Sequence, residues 1–268
     1  MDELAYFAAP GRMTLLPDDS RLAGVPSDVA GIARTLEGLM VHRVEADRRG
    51  IEVTDERRGE EQLRSASAMV ARMAELDPSP LREPRPPERR LIVNCRHFAV
   101  LGCALLRRAG VPARARVGFA RYLSPPGHAD HWILERWHDG RWAAADPDPP
   151  PRAGFDPLDL PPGRFVPAGD AWQLCRAGEA EPEDFGTGPW LGAWMIRNNV
   201  LRDLASLQKI EALPWDGWGL MDRQSRLGEG PADALVDEVA AVLRGGDLVA
   251  LSRLYARDDR LRAPEYRT

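Results

Sequence analysis

The Asp139-Gly140 pair, flanked by HWILERW on one side and RWAAAD on the other, constrains this chain more than any other feature. An Asp-Gly step between alternating apolar residues favours a two-residue type I′ turn, because both residues tolerate positive φ. That turn predicts strands over 131 to 137 and 141 to 146 in a fixed register. It opposes Ile133 to Asp146 and His131 to Asp148, and makes His131 and Asp146 diagonal neighbours on one face. Their backbones then lie roughly 7–8 Å apart, which an imidazole and a carboxylate can close. A slip of one residue would send one of the two to the other face.

Upstream of the hairpin, Leu91-Ile92-Val93 is a short apolar lead-in, and Asn94 is a helix cap. A helix is expected from Cys95 through CRHFAVLGCALLRRA, with Arg107 and Arg108 in its last turn. Gly110 suits a left-handed stop, and Pro112 forbids continuation. A strand over 113 to 122 follows. The first ninety residues read as helical, with helices at Val29 to His42 and Asp55 to Leu76. Residues 78 to 90 hold five prolines and form an extended connector, its four arginines facing solvent among acids. Residues 147 to 169 hold eight prolines, so a long irregular segment is expected there. Helical patterns return over Leu191 to Leu213, Ala232 to Leu243 and Leu248 to Ala256. Four regions result: a helical 1–90, a core over 91–147, a proline-rich 148–185 and a helical 186–268, expected to pack as one unit.

Length and charge narrow the function classes. A chain of 268 residues buries a core without staples. A formal charge of −5 argues against a nucleic-acid partner. No window approaches the ~18 consecutive apolar residues of a membrane span. The acidic start MDELAYFAAPGRM does not read as a secretion signal. Three cysteines make no disulfide framework, so a reducing cytoplasm is expected. Of 36 basic residues only Lys209 is lysine, which leaves one candidate for amine chemistry. FGTGPWLG lacks the spacing of a dinucleotide loop, no Walker A sequence occurs, and Cys95 with His97 falls short of a zinc site. No cofactor and no metal are expected. The sequence leaves the oligomeric state open.

A cysteine nucleophile needs a lowered thiol pKa, a base within reach, and a group that orients the base. Cys95 opens a capped helix, where free N–H groups and the helix dipole favour a thiolate. Cys103 lies among Leu101, Ala104 and Leu105 and reads as core, and Cys175 lacks a helix-start setting. Among the histidines, His97 points to the far side of the helix from Cys95 and His138 borders an exposed turn. His42 is distant in sequence, and the hairpin register favours His131 over His128. The resulting set is Cys95, His131 and Asp146. The same pattern also fits a fold that keeps these residues without catalysis.

The stretches NCRHFAVLGCALLRRAGVPARARVGF, DHWILERW and DGRWAAADPD closely resemble the bacterial transglutaminase-like superfamily over residues 91 to 147. LMVHRVEADRRG and PWDGWGLMD resemble a subgroup of its bacterial members more loosely. The resemblance implies an α+β, papain-like fold in which a nucleophile helix packs on an antiparallel sheet and helical regions flank it. It gives Cys95 the nucleophile position, His131 the base and Asp146 the orienting carboxylate. It further implies acyl transfer from a peptide, amide or thioester carbonyl, to water or to an amine. Family members often carry an upstream aromatic or amide side chain as second oxyanion donor, and none is assigned here. The calcium-loop pattern of animal transglutaminases is absent from DPDPPPRAGFDPLDL. Trp190 and Trp194, one helical turn apart, are expected to pack in the core or between domains rather than to line a substrate groove. Arg197, Asn198 and Asn199 form either a solvated face or part of the cleft.

Overall fold

A computed structural model describes residues 2–148, 154–221 and 233–266. In chain order, its N-terminal part comprises α1 (Glu3–Ala8), α2 (Val29–Leu39), β1 (Met40–His42), α3 (Arg43–Arg48), α4 (Asp55–Arg58) and α5 (Ala66–Leu76). The centre holds β2 (Leu91–Val93), α6 (Cys95–Arg108), β3 (Ala113–Ala120), β4 (Ala129–His138) and β5 (Arg141–Ala145). Beyond it come β6 (Phe165–Pro167), α7 (Ala168–Arg176), β7 (Gly186–Thr187), β8 (Trp190–Leu191), α8 (Ala193–Leu207), α9 (Asp233–Gly245) and α10 (Leu248–Arg257). The fold is α+β: a helix on an antiparallel sheet, with further helices on both sides. No described helix is long and apolar enough to cross a membrane.

Helix α6 starts where Asn94 caps it. The Asn94 side chain accepts the Arg96 N–H at 3.1 Å, and His97 returns a bond to the Asn94 N–H, closing a reciprocal capping box. The helix stops at Gly110 (φ 78°), where the Gly110 N–H donates to Arg107 O and the Val111 N–H to Leu106 O. The main sheet runs β5-β4-β3-β6, antiparallel throughout. Asp139 (φ 49°) and Gly140 (φ 76°) make the expected hairpin turn, pairing His138 with Arg141 and Leu134 with Ala145.

Apolar side chains of β3 and β4, among them Val117, Trp132 and Leu134, share one buried cluster with Leu101 and Ala104 of α6. The N-terminal region adds Leu36 of α2 and Met69 and Met73 of α5 to that cluster. A second cluster joins Phe7, Trp172 of α7, Val200 and Leu204 of α8, and Val239 of α9. Between sheet and α8, Arg116 donates to Asp203 at 2.8 and 3.0 Å, and the same carboxylate accepts the Val117 N–H at 2.8 Å.

Several local expectations give way to long-range pairing. The helix over Val29 to His42 ends at Leu39, because Met40–His42 pairs in parallel with Leu91–Val93. A non-local partner overrides helical periodicity there. The helix over Asp55 to Leu76 is broken at Gly59, and Ser65 caps a fresh helix by accepting the Ala68 N–H at 3.2 Å. Glu60 is buried in that break, accepting the Ile92 N–H at 2.8 Å. Arg85 of the connector is not solvated. It is buried, donating to the carbonyls of Asp77 and Ser79 at 2.8 and 2.9 Å.

The irregular stretch expected over 147 to 169 ends early. Phe165–Pro167 pairs with Gly118–Ala120 and runs into α7. Gly118 is required at that crossing, since a Cβ would stand 2.3 Å from Val166 O. Trp190 lies on β8 rather than in the helix of Trp194, and is 55% exposed, so core packing fails for it. Trp215 is also exposed, whereas Trp172 is fully buried.

Candidate active site

Cys95 is the first residue of α6 and remains partly exposed. His131 comes from β4 and is buried, and Asp146 follows the end of β5 with no exposed surface. The Asp146 N–H donates to Pro157 O at 2.7 Å, which turns the chain out of the strand and fixes the carboxylate. His131 Nε2 meets Asp146 Oδ2 at 2.9 Å. That leaves Nδ1 as the other ring nitrogen, and the imidazole and the Cys95 thiol lie close enough for each to act on the other's charge. The structure thus brings Cys95, His131 and Asp146 together at one site.

Asp146 is held from both oxygens. Oδ2 also accepts the Tyr122 hydroxyl at 2.7 Å, while Oδ1 accepts the Asp148 N–H at 2.9 Å. Burial alone would lower the His131 pKa. The charge and hydrogen bond of Asp146, followed by those of Cys95, more than reverse this and hold the imidazole well above its ordinary value. Cys95 departs from the expectation of a lowered thiol. Its burial pushes the thiol up, and the hydrogen bond and charge of His131 pull against that. Desolvation at the cleft floor outweighs what a helix N-terminus contributes alone.

The remaining histidines and cysteines sort by environment. His97 is spent on the cap of α6, buried and held neutral. His128 stacks on Phe185 with ring centroids 4.7 Å apart, and His138 is exposed at the turn. Burial pushes both Cys103 and Cys175 up to about 12. Asn199 resolves the open reading of the α8 polar run. Its side chain donates to Asp130, the neighbour of His131, at 2.7 Å, and accepts from Arg202 at 3.0 Å. Arg197 instead pairs with Asp233 at 2.8 Å.

Three residues at the site escaped the sequence reading. Tyr122 sits just past the end of β3, edge-on to both His131 and Phe155. His42, distant in sequence, arrives through the β1–β2 pairing, which sets it opposite Val93 and two residues short of Cys95. Its Nδ1 accepts the Val44 N–H at 3.2 Å, and its Nε2 lies 3.8 Å from Asp148 Oδ2. Burial, reinforced by the charge of His131, lowers His42 to about 4. Asp148 is raised to about 7, first by burial and then by the charge of Asp146. The hairpin register already pointed at Asp148, whereas nothing local marks His42. Among the described residues, no three His, Cys, Asp or Glu side chains converge as metal ligands.

A cysteine that opens a helix, with a histidine on the facing sheet and a carboxylate just past the next strand, is the arrangement that papain-like cysteine enzymes also use. Residues 53–147 match the family model described as the transglutaminase-like superfamily, so this stretch is similar to that family. The match begins well before residue 91, taking in α4 and α5. A crystal structure described as a candidate cysteine protease from Cytophaga hutchinsonii is 19% identical, with a TM-score of 0.37. That similarity covers 62% of this chain and 46% of the other, so the chain spans less than half of that protein. Comparison with curated proteins gives no match.

Proposed function

We propose that the protein is a cysteine-dependent acyl-transfer enzyme that acts on an amide or thioester carbonyl through Cys95, His131 and Asp146. The observation that carries this reading is a buried imidazole held at 2.9 Å by a fully buried carboxylate, at one site with the cysteine that opens α6. In the first half-reaction the Cys95 thiolate adds to the carbonyl carbon, and the His131 imidazolium gives its proton to the leaving group. A thioester acyl-enzyme results. In the second, His131 takes a proton from the acceptor as it attacks, and the thiolate leaves. Asp146 fixes the tautomer and stabilises the imidazolium. The Cys95 N–H, in the first turn of α6, has no intrahelical acceptor and supplies one arm of an oxyanion hole.

Water is the favoured acceptor, making the enzyme an amidase or peptidase, since Cys95 keeps some solvent exposure in the folded chain. Three free cysteines support work in a reducing compartment such as the cytoplasm. The test is to treat the protein with a p-nitrophenyl ester and follow nitrophenol release and peptide mass. A stoichiometric burst, with the acyl mass on the Cys95 peptide, is expected and should vanish in Cys95→Ala. Faster turnover with a new amide on adding amines would reassign it as an amide-forming acyltransferase. No acylation with any activated ester would leave a binding protein that retains the fold.

A further inference from the structure

Asp148 stands beside the site with its carboxylate unused. The Asp148 N–H donation to Asp146 Oδ1 ties its backbone to the orienting carboxylate. Its own oxygens accept no hydrogen bond from any described residue, and its side chain is only 20% exposed. The nearest candidate partner is His42 Nε2 at 3.8 Å, beyond hydrogen-bond reach. His42 is no counter-ion. Its Nδ1 is committed to the Val44 N–H, so the ring stays a neutral Nε2–H tautomer, and burial holds it down to about 4.

The other charges around Asp148 are unbalanced towards the acidic. Asp146 and Glu45 both repel its charge, and His131 alone among the groups acting strongly on it is attractive. His131 is already paired with Asp146. On α3, Arg48 is turned to Glu45 at 3.8 Å and is largely exposed. Asp148 also acts electrostatically on Cys95, pushing its thiol up. A largely buried carboxylate with no hydrogen-bond donor among the described residues is costly, and an incoming cation offsets that cost.

We propose that Asp148, with His42 as its neutral neighbour, is a recognition site for a positively charged ammonium or guanidinium group carried by the substrate next to the carbonyl that Cys95 attacks. The inference deepens the acyl-transfer reading and rests on it for the word substrate, but the geometry concerns access to the thiol alone. Basic peptides and amines conjugated to an acyl group fit this site, and acidic ones are repelled by Asp146, Asp148 and Glu45. Discrimination is expected to grow as pH rises through about 7, where Asp148 ionises.

The test uses thiol-labelling probes rather than turnover. Cys95 is labelled with 2-aminoethyl, methyl and 2-sulfonatoethyl methanethiosulfonate. In each case its thiolate attacks the sulfenyl sulfur and releases methanesulfinate. Each protein's cationic-to-neutral and anionic-to-neutral rate ratios are read by peptide mass from pH 6 to 8.5. In the wild type at pH 8 the cationic probe should exceed the anionic one by about tenfold or more, the scale of a unit charge acting over several ångströms. In Asp148→Asn the two ratios should converge to within about threefold, and the rise through pH 7 should disappear. Glu45→Gln should leave most of the preference in place, since Glu45 is the weakest of the charges acting on Asp148. Unchanged ratios in Asp148→Asn, or a preference removed equally by Glu45→Gln, would overturn the proposal. Failure of acylation with esters would strike the acyl-transfer reading instead, leaving these ratios to stand or fall separately.

Discussion

The Tyr122 hydroxyl donates to Asp146 Oδ2 at 2.7 Å, the same oxygen that His131 Nε2 meets at 2.9 Å. One carboxylate oxygen therefore serves two donors, and each weakens the hold of the other. Tyr122→Phe removes the competing donor and leaves Asp146 a stronger partner for His131. The imidazolium should titrate at higher pH in the variant, measured from the alkaline limb of Cys95 labelling. Ester turnover should fall about three- to tenfold, because the carboxylate also loses one of its positioning bonds. An unshifted limb would show that Tyr122 only packs.

His42 and Asp148 should leave opposite marks on the pH dependence of stability. His42 is depressed to about 4 in the folded chain, so the unfolded chain binds more protons between pH 4 and about 6.5. Its contribution falls as pH drops through that window. Asp148 is raised to about 7, so the folded chain binds more protons between pH 4 and 7, and its contribution falls as pH rises. In urea unfolding, His42→Gln minus wild type should lose stability with rising pH over 4.5 to 6.5. Asp148→Asn minus wild type should gain it. Parallel curves would contradict both assignments.

Gly118 and Gly110 separate steric from conformational requirements. Gly118→Ala drives a Cβ to 2.3 Å from the Val166 carbonyl at the β3–β6 crossing. It should cost more than about 2 kcal/mol. Gly110→Ala has open space around it and a φ of 78°, so it should cost about 1 kcal/mol. Denaturant midpoints at constant m-value measure both.

Asp203 lies with no exposed surface and holds the Arg116 side chain and the Val117 N–H. Asp203→Ala leaves the Val117 amide without its acceptor and the Arg116 guanidinium with Glu135 alone, between sheet and α8. A loss of about 3–5 kcal/mol is expected by the same measurement. A change below 1 kcal/mol would mean that solvent replaces the carboxylate freely.

The parts legible in the sequence are those governed by local chemistry. The Asn94 cap, the Gly110 stop and the Asp139-Gly140 turn each depend on a few adjacent residues, and each stands where it was expected. The register follows from the turn, and it places His131 near Asp146. What the sequence withheld depends on distant partners. Met40–His42 has a helical pattern until Leu91–Val93 supplies a strand to pair with. Phe165–Pro167 lies in a proline-rich stretch and becomes a strand only because Gly118 leaves room. The Cys95 thiol was expected low from its helix position alone, and the burial that raises it is a property of the assembled cleft.

The most direct test of the central claim is the rate of Cys95 alkylation by iodoacetamide against pH, read by peptide mass, in wild type and His131→Ala. A pairing of thiol and imidazole predicts faster labelling at pH 8 in the wild type, where His131 works against the burial of the thiol. The variant should be at least tenfold slower there, its rate rising only above pH 9, because burial then pushes the thiol up unopposed. Equal rates in the two proteins across that range would contradict the account.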